Sequence, residues 1–384
     1  RQWEAASTKD QTEARSEADE KAEKALPKME ARSHVYRVSA SGGEPRQLTF
    51  GERSETSPRW SPDGKFISFV SARSGGSEGS EDGPKAQIWI MPTDGGEPWQ
   101  LTAAKDGVSA YEWSPDSKAI AFTAREALSK EDDAKRKRRD DARVFEGDFR
   151  MTHLWTIDVV SKKDKPITGG SSFTVGGSPT WSPDGKQLAF MGAPTPMVRD
   201  DRRDIYVVSA EGGEVEKIAG TPASETSPAW SPDGKTIAYV ADPAGPPIGD
   251  GVTLAIVGNS RLMLYDVASK ATKDASSPSF DLSPGAPIWA PNSQTIVFTT
   301  GVRTARDVYS YVVASGAYTR VTTGQGISSL SLSADGRRAT FIADAPSAPG
   351  DVYFSEAPFQ QSKRLTDANP QVRDLALGET EVIT

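Results

Sequence analysis

The sequence contains no cysteine and only two histidines in its 384 residues. Without cysteine the chain has no disulfide, no thiolate metal site and no cysteine nucleophile. It also lacks a run of about 18 apolar residues, which a membrane-spanning helix needs. The net charge of −8 argues against nucleic-acid binding, since such proteins present a basic surface to phosphates. We therefore expect neither a nucleic-acid nor a membrane partner, while a cytoplasmic and a periplasmic or secreted location both stay open.

A repeated motif dominates what is present. Trp-Ser-Pro-Asp-Gly-Lys at residues 60–65 precedes alternating apolar residues, and related copies begin at Trp113, Trp181, Trp230, Trp289 and Leu332. Proline presets the first turn position, and glycine accepts the left-handed conformation that closes a hairpin. Alternation with a period of two predicts a strand with one buried face. Each copy therefore predicts two strands joined by a tight turn.

A second type of hairpin alternates with the first. Residues 34–49 combine an apolar strand, a Gly-Gly turn and a Leu-Thr pair, and similar segments begin at Gln87, Leu154, Ile205, Leu262, Val308 and Val352. Two hairpins make a four-stranded sheet, and radial repetition of such sheets is a β-propeller. The sequence thus predicts an all-β, seven-bladed propeller of four-stranded antiparallel blades. The first blade lacks its opening strands, which we expect upstream; six blades plus an extra hairpin is the alternative count.

The repeats are interrupted by long insertions, because their spacing exceeds the roughly 40 to 45 residues of a compact blade. Most of the excess falls between the second and third strands, at residues 71–86, 124–151, 191–203 and 241–260. In an antiparallel blade all these connections leave by one face, which we call the long-loop face. The tight Pro-Asp-Gly and Gly-Gly turns lie on the opposite face, and we expect both chain ends on the long-loop face.

The repeat units, among them Ile-Tyr-Val-Val-Ser-Ala-Glu-Gly-Gly-Glu at residues 205–214, resemble the TolB-type propeller repeat. Their order and insertions are similar to the N-terminal propeller of prolyl oligopeptidase family serine peptidases, in the acylaminoacyl-peptidase and dipeptidyl-peptidase branch. The resemblance implies three segments. Residues 1–33 form a polar helical or mobile insertion, 34–368 the propeller, and 369–384 a linker toward a missing α/β-hydrolase domain.

The resemblance also implies a function. In that family the propeller covers the peptidase active site, filters substrates by size and contributes to the pocket for the substrate's N-terminal end. The chain would then be a non-catalytic gate for oligopeptides or acyl-peptides, and the Ser-Asp-His triad would lie downstream in a domain packed on the long-loop face. No Gly-x-Ser-x-Gly nucleophile elbow occurs here. We expect no catalytic residue, cofactor or metal in this chain, and homo-oligomerisation stays open.

The longest insertion is the candidate substrate contact. It ends with Glu146, Asp148 and Arg150 among aromatic residues, and these groups suit the amine and carboxylate ends of a short peptide. A solvated surface loop is the alternative interpretation. The basic run at 135–139 lies between acidic residues and is interpreted as a self-neutralising helix or loop. The adjacent glutamate pair of the dipeptidyl-peptidase branch is missing, and His34 and His153 are interpreted as structural.

Two other functions remain as alternatives. A stand-alone TolB-like propeller that binds a protein partner would carry the same repeats. A propeller enzyme such as a lactonase would hold a metal in the central channel with inward-facing side chains. The inward repeat positions show no set of acids or histidines, and the sequence therefore disfavours the second alternative.

Overall fold

The computed structural model describes residues 32–73, 83–138, 140, 149–197, 202–219, 224–247, 253–255, 258–356, 359 and 361–378. Strands make up nearly all of its regular structure. The all-β prediction is therefore confirmed. The polar segment predicted at residues 1–33 lies outside the described residues, apart from its last two positions.

The first half of the chain forms one short hairpin and three four-stranded sheets, all antiparallel. The N-terminal hairpin comprises β1 (Tyr36–Arg37) and β2 (Arg46–Gln47). Sheet 1 contains β3 (Glu55–Trp60), β4 (Phe66–Ser71), β5 (Gln87–Pro92) and β6 (Trp99–Gln100); sheet 2 contains β7 (Val108–Trp113), β8 (Ala119–Arg125), β9 (Thr152–Asp158) and β10 (Asp164–Pro166); sheet 3 contains β11 (Thr174–Trp181), β12 (Gln187–Ala193), β13 (Asp204–Ser209) and β14 (Val215–Lys217).

The second half repeats the same plan three times. Sheet 4 contains β15 (Glu225–Trp230), β16 (Thr236–Ala241), β19 (Arg261–Asp266) and β20 (Thr272–Asp274), with the separate pair β17 (Ala244–Pro247) and β18 (Thr253–Ala255) in its insertion; sheet 5 contains β21 (Ile288–Trp289), β22 (Thr295–Val302), β23 (Ala305–Val312) and β24 (Ala317–Arg320); sheet 6 contains β25 (Gly326–Leu332), β26 (Arg338–Ala345), β27 (Ala348–Glu356) and β28 (Gln361–Arg364). One parallel bridge, Arg306 to Gly326, joins sheets 5 and 6.

The tight turns are held by a serine as well as by proline and glycine. Ser61 Oγ donates to Asp63 Oδ1 at 2.6 Å and accepts from the Phe66 N–H at 2.9 Å, while Gly64 has a φ of 72°. The Ser61 hydroxyl and the Lys65 N–H lower the pKa of Asp63. The same serine to aspartate bond recurs at Ser114 and Asp116, Ser182 and Asp184, Ser231 and Asp233, and Ser333 and Asp335.

The hydrophobic core lies between successive sheets rather than at one centre. One cluster joins Ile88 and Ile90 of sheet 1 to Tyr111 and Trp113 of sheet 2, and five others follow the same pattern around the chain. The first strands of sheets 2, 3, 4 and 5 contact one another in turn and therefore line the axis. This is the arrangement of propeller blades. The total of seven blades stays a prediction.

The longest insertion contains the one α-helix among the described residues, α1 (Lys130–Lys137). Ser129 caps it, because its Oγ accepts from the Asp132 N–H at 3.0 Å. Lys135 pairs with Glu131 at 3.2 Å and Lys137 pairs with Asp133 at 3.0 Å, one helical turn earlier in each case. For these two lysines the predicted self-neutralisation of the basic run is confirmed.

Candidate functional site

A charged cluster lies where the connection between β6 and β7 meets the two ends of the insertion between β8 and β9. Arg150, just before β9, donates to Asp106 Oδ2 at 2.9 Å and to the Glu126 backbone oxygen at 3.2 Å. Lys85 reaches Asp106 from the preceding insertion at 3.8 Å. We call Lys85, Asp106, Glu126, Arg150 and His153 the sheet 2 charged cluster. Antiparallel strand order places it on the long-loop face.

Glu126 and His153 form the second contact of this cluster. The His153 Nε2 and Glu126 Oε1 atoms lie 2.7 Å apart, and the Met151 N–H donates to Glu126 Oε2 at 3.1 Å. His153 Nδ1 is buried without a hydrogen-bond partner in the described part of the chain, so the contact with Glu126 holds the ring through Nε2. Burial raises the pKa of Glu126, but the bonds from His153 and Met151 outweigh it and the net pKa is lowered.

Apart from His153, the cluster has a balanced formal charge, because the carboxylates of Asp106 and Glu126 lie beside the cations of Lys85 and Arg150. The side chain of Glu126 is 41% exposed, whereas that of Arg150 is 22% exposed and already paired. Glu126 can therefore accept a further hydrogen bond from a bound ammonium group. A carboxylate ligand would have to compete with Asp106 for Nη1 of Arg150 or bind the other N–H groups of the guanidinium.

The structure brings together only part of the predicted site. Arg150 is described and joins the cluster, while Glu146 and Asp148 lie outside the described residues. The sequence analysis did not single out Asp106 or Glu126. Asp106 lies 44 positions from Arg150 and Glu126 lies 27 positions from His153, so no local spacing marks either pair.

A related cluster lies between the N-terminal hairpin and sheet 1. Glu55, whose side chain is fully buried, accepts from Thr49 Oγ1 at 3.0 Å and contacts His34 Nδ1 at 2.7 Å. Arg73 forms an ion pair with the same carboxylate. These partners leave Glu55 no exposed oxygen for a ligand. Each of the two histidines thus contacts a glutamate.

The acids at the start of the third strands have a structural role in sheets 5 and 6. Asp351 Oδ1 accepts from Thr366 Oγ1 at 2.7 Å and from the Ala368 N–H at 2.9 Å, and Asp351 Oδ2 pairs with Arg364. Asp307 repeats this arrangement with Thr322, the Gln325 N–H and Arg320. Each aspartate therefore joins the third and fourth strands of its own sheet. Their carboxylates are occupied within the fold.

The last described segment of the chain lies on the long-loop face. A cavity of about 200 Å³ is bounded by Asp344 at the end of β26, by Ser347 of the connection to β27, and by Asn369, Val372 and Arg373. The last two of these residues belong to a short 3-10 helix, Pro370–Asp374. The segment after the last strand therefore lies beside a connection between second and third strands.

The described residues contain no group of three or more histidine, cysteine, aspartate or glutamate side chains arranged to hold a metal ion. Between the neighbouring first strands β3 and β7, Arg59 and Glu112 form an ion pair at 2.9 Å. No helix in this part of the chain has the length and apolar character needed to cross a membrane.

Comparison with known families identifies the repeats. The TolB beta propeller domain model matches residues 150–248, and the lipoprotein LpqB beta-propeller domain model matches residues 205–356. Together these matches cover residues 150–356, from the third strand of sheet 2 to the third strand of sheet 6. They agree with the positions of the Trp-Ser-Pro-Asp-Gly-Lys copies.

Sequence relatives include peptidases. The chain is 33% identical over 172 residues to the uncharacterized peptidase YuxL of Bacillus subtilis, a match to 41% of this chain and 24% of the relative. It is 26% identical over 329 residues to dipeptidyl-peptidase 5 of Porphyromonas gingivalis, covering 77% of this chain and 44% of the relative. The chain therefore spans less than half the length of these relatives.

Solved structures agree on the fold. Acylaminoacyl peptidase of Pyrococcus horikoshii aligns with a TM-score of 0.60 at 19% identity, over 87% of this chain and 48% of that one. At this identity the likeness shows the fold alone. The chain is therefore a β-propeller domain built of TolB-like repeats, and its relatives in sequence include peptidases.

Proposed function

We propose that this chain is the non-catalytic propeller of a serine peptidase and admits short peptides to a triad in an α/β-hydrolase domain downstream of Thr384. One observation carries the proposal: the chain matches peptidases in sequence, yet spans only 24% and 44% of two of them. The remaining length of those relatives is ample for a hydrolase domain.

The geometry of the long-loop face supports this proposal. The insertions of sheets 1 to 4 leave by that face, and the segment at residues 369–374 lies on the same side, beside the connection between β26 and β27. A domain that continues from this segment would cover the face and the mouth of the axial channel. Folded proteins are too wide for such a passage, whereas an extended peptide is not, so the propeller would select substrates by size.

The sheet 2 charged cluster offers a contact for the substrate. Glu126 presents a partly exposed carboxylate beside His153, and its lowered pKa keeps it ionised at neutral pH. An ionised carboxylate on the face that a catalytic domain covers attracts the free amine of a peptide. Within this proposal Glu126 holds the substrate's amino terminus, and Glu146, Asp148 and Arg150 of the same insertion contribute further polar contacts.

Labelling of the complete gene product with a fluorophosphonate probe tests the proposal. We expect a single modified serine outside residues 1–384, together with hydrolysis of short peptides that the probe abolishes. The chain of residues 1–384 alone should be neither labelled nor active. A complete gene product without a reactive serine and without peptide hydrolysis would overturn the proposal.

A stand-alone propeller that binds a protein partner is the second candidate, because both matching family models describe propellers of TolB and LpqB rather than peptidases. It predicts an open reading frame that ends near residue 384. The complete gene product would then bind one partner stoichiometrically and leave peptides uncleaved. The fluorophosphonate experiment therefore separates the two candidates.

A further inference from the structure

Trp60 differs from the other tryptophans of the repeat in its exposure. Trp60 is the last residue of β3, the first strand of sheet 1, and it is 53% exposed. Its counterparts Trp113, Trp181, Trp230 and Trp289 are only 3% to 9% exposed. The five residues share one motif and one strand position, so the difference comes from what lies next to them.

The buried counterparts show what normally covers this position. The indole nitrogen of Trp113 donates to Ser68 Oγ at 2.8 Å, and that of Trp289 donates to the Ala229 oxygen at 3.0 Å. Ser68 lies on the second strand of the preceding sheet, and Ala229 on the first strand. Each motif tryptophan therefore packs against the first two strands of the sheet before it.

The N-terminal hairpin, which precedes sheet 1, supplies only third and fourth strands. The Val35 N–H donates to Thr49 Oγ1 at 2.9 Å, as the Ile88 N–H donates to Thr102 Oγ1 at 2.9 Å between the third and fourth strands of sheet 1. This match fixes β1 and β2 as the outer half of a sheet. β1 pairs with β2 alone among the described strands.

The hairpin already occupies its place between sheet 6 and sheet 1. Val35 and Leu48 pack with Ile67 and Phe69 of sheet 1. On the other side, Lys363 of β28 donates to the Ser41 backbone oxygen. The open position is therefore the inner half of the same sheet, bounded by the free edge of β1 and by Trp60.

We propose that this open position binds a β-hairpin of the Trp-Ser-Pro-Asp-Gly-Lys type, supplied by the same polypeptide on the N-terminal side of β1. In every other sheet the first two strands precede the third in sequence, which commits the missing pair to that side. Residues 1–33 contain no copy of the motif, so they do not themselves supply this hairpin. The inserted hairpin pairs with β1 and buries Trp60.

The chemistry of the surface fits this occupant. A strand edge offers unpaired N–H and C=O groups, and an added strand satisfies them by main-chain hydrogen bonds. The half-exposed Trp60 indole lacks the favourable apolar burial of its four counterparts. Because the same interface already recurs between the other sheets, the occupant needs no new type of contact.

Chemical modification of tryptophan with N-bromosuccinimide, mapped by mass spectrometry, tests the proposal. In the chain of residues 1–384 we expect Trp60 to react about tenfold faster than Trp113, Trp181, Trp230 and Trp289, because buried side chains react only on local opening. In the complete gene product Trp60 should react as slowly as these four internal controls. Amide exchange at Tyr36, whose N–H faces the free edge of β1, should slow in parallel.

A probe added in trans gives an independent measurement. A synthetic peptide with the sequence of residues 225–242, the first hairpin of sheet 4, should protect Trp60 in the chain of residues 1–384, while a scrambled peptide should not. Trp60→Ala should weaken binding of this peptide at least about tenfold, as expected for an aromatic anchor at an interface. Protection of Trp60 in either experiment supports the proposal when sedimentation equilibrium shows that no dimer has formed.

Three results would overturn it. The first is a complete gene product in which Trp60 remains as reactive as in the chain of residues 1–384. The second is protection that appears only in a dimer, which would assign the position to a second copy. The third is slow modification of Trp60 in the chain of residues 1–384 itself. None of these readouts depends on peptidase activity, so the proposal stands or falls separately from the proposed function.

Discussion

The indole nitrogen of Trp113 donates a hydrogen bond to Ser68 Oγ in the preceding sheet, at 2.8 Å. At the equivalent interface between sheets 3 and 4, Ala189 takes the place of Ser68 and packs with Trp230. The Trp230 indole nitrogen is buried without a hydrogen-bond partner in the described residues. The Trp230 interface thus lacks the acceptor that the Ser68 hydroxyl gives Trp113 and that the Ala229 backbone oxygen gives Trp289.

We expect Ala189→Ser to raise the free energy of unfolding by about 1 kcal/mol, because it gives the Trp230 indole a buried acceptor. Urea denaturation of the variant and the wild type measures the change. Ala238→Ser is the matched control, since the neighbouring Trp289 indole already donates to the Ala229 oxygen. The control should be destabilised. Equal effects of the two substitutions would contradict this account of the interface.

Much of the fold could be predicted from the sequence because the structure repeats a local pattern. The hairpin turn needs only residues that are adjacent in the chain, such as Ser61, Asp63 and Gly64, so each copy of the motif indicates its own structure. The exposure of Trp60 could not be predicted in this way. It depends on the preceding sheet, and the motif itself is the same in exposed and buried copies.

The turn glycines give a second test. Gly336 and Gly64 have φ angles of 65° and 72°, so alanine at either position is strained by about 1 kcal/mol. An added Cβ at Gly336 would lie 2.6 Å from Pro291 Cδ, whereas one at Gly64 would meet nothing within 4 Å. Overpacking of this kind costs about 1 to 3 kcal/mol more.

Thermal unfolding should therefore show a larger loss for Gly336→Ala than for Gly64→Ala. Because the two variants share the same backbone strain, their difference isolates the contact with Pro291. Equal losses would mean that the neighbouring sheets separate freely at this turn.

Acid should destabilise the propeller through Asp307 and Asp351. Burial raises the pKa of each, but bonds from Arg320 to Asp307 and from the Ala368 N–H, Thr366 and Arg364 to Asp351 outweigh it, and both pKa values are lowered. A folded-state pKa below the unfolded value of about 3.9 means that this stability is complete above that pH. It is lost as the pH falls through the folded-state values.

The double variant Asp307→Asn, Asp351→Asn should accordingly be less stable than the wild type at pH 7 and show a shallower loss between pH 5 and pH 3. Urea midpoints across this range measure both effects. Glu211→Gln, an exposed change on the tight-turn face, is the control and should leave the pH profile unchanged. A double variant with the wild-type slope would contradict the prediction.

The candidate site was less predictable than the fold. Arg150 could be predicted from its place at the end of the longest insertion, among charged and aromatic residues. Its partner Asp106 belongs to a different connection, 44 residues earlier. Glu126 follows β8 and has no sequence signal beyond its own charge. Contacts between loops depend on which connections share a face, and that becomes clear only once the strand order is known.

Within the proposed function, Glu126→Gln in the complete gene product should raise KM for peptides with a free amino terminus by about tenfold and leave kcat unchanged. Loss of the carboxylate removes an ionic contact that binds ground state and transition state alike. N-acetylated peptides should be unaffected, as should all substrates of the control Glu211→Gln. Equal effects on free and acetylated peptides would assign Glu126 a structural role.

Substrate size provides the most direct test of the gating role. The complete gene product should be assayed on one cleavable sequence in two forms, as a free peptide and as a loop inserted in a folded protein, with kcat/KM measured for both. We predict that the free peptide is cleaved at least about 100-fold more efficiently, because the propeller admits an extended chain and excludes a folded domain. Equal kcat/KM values for the two forms would contradict the proposal that this propeller is a gate.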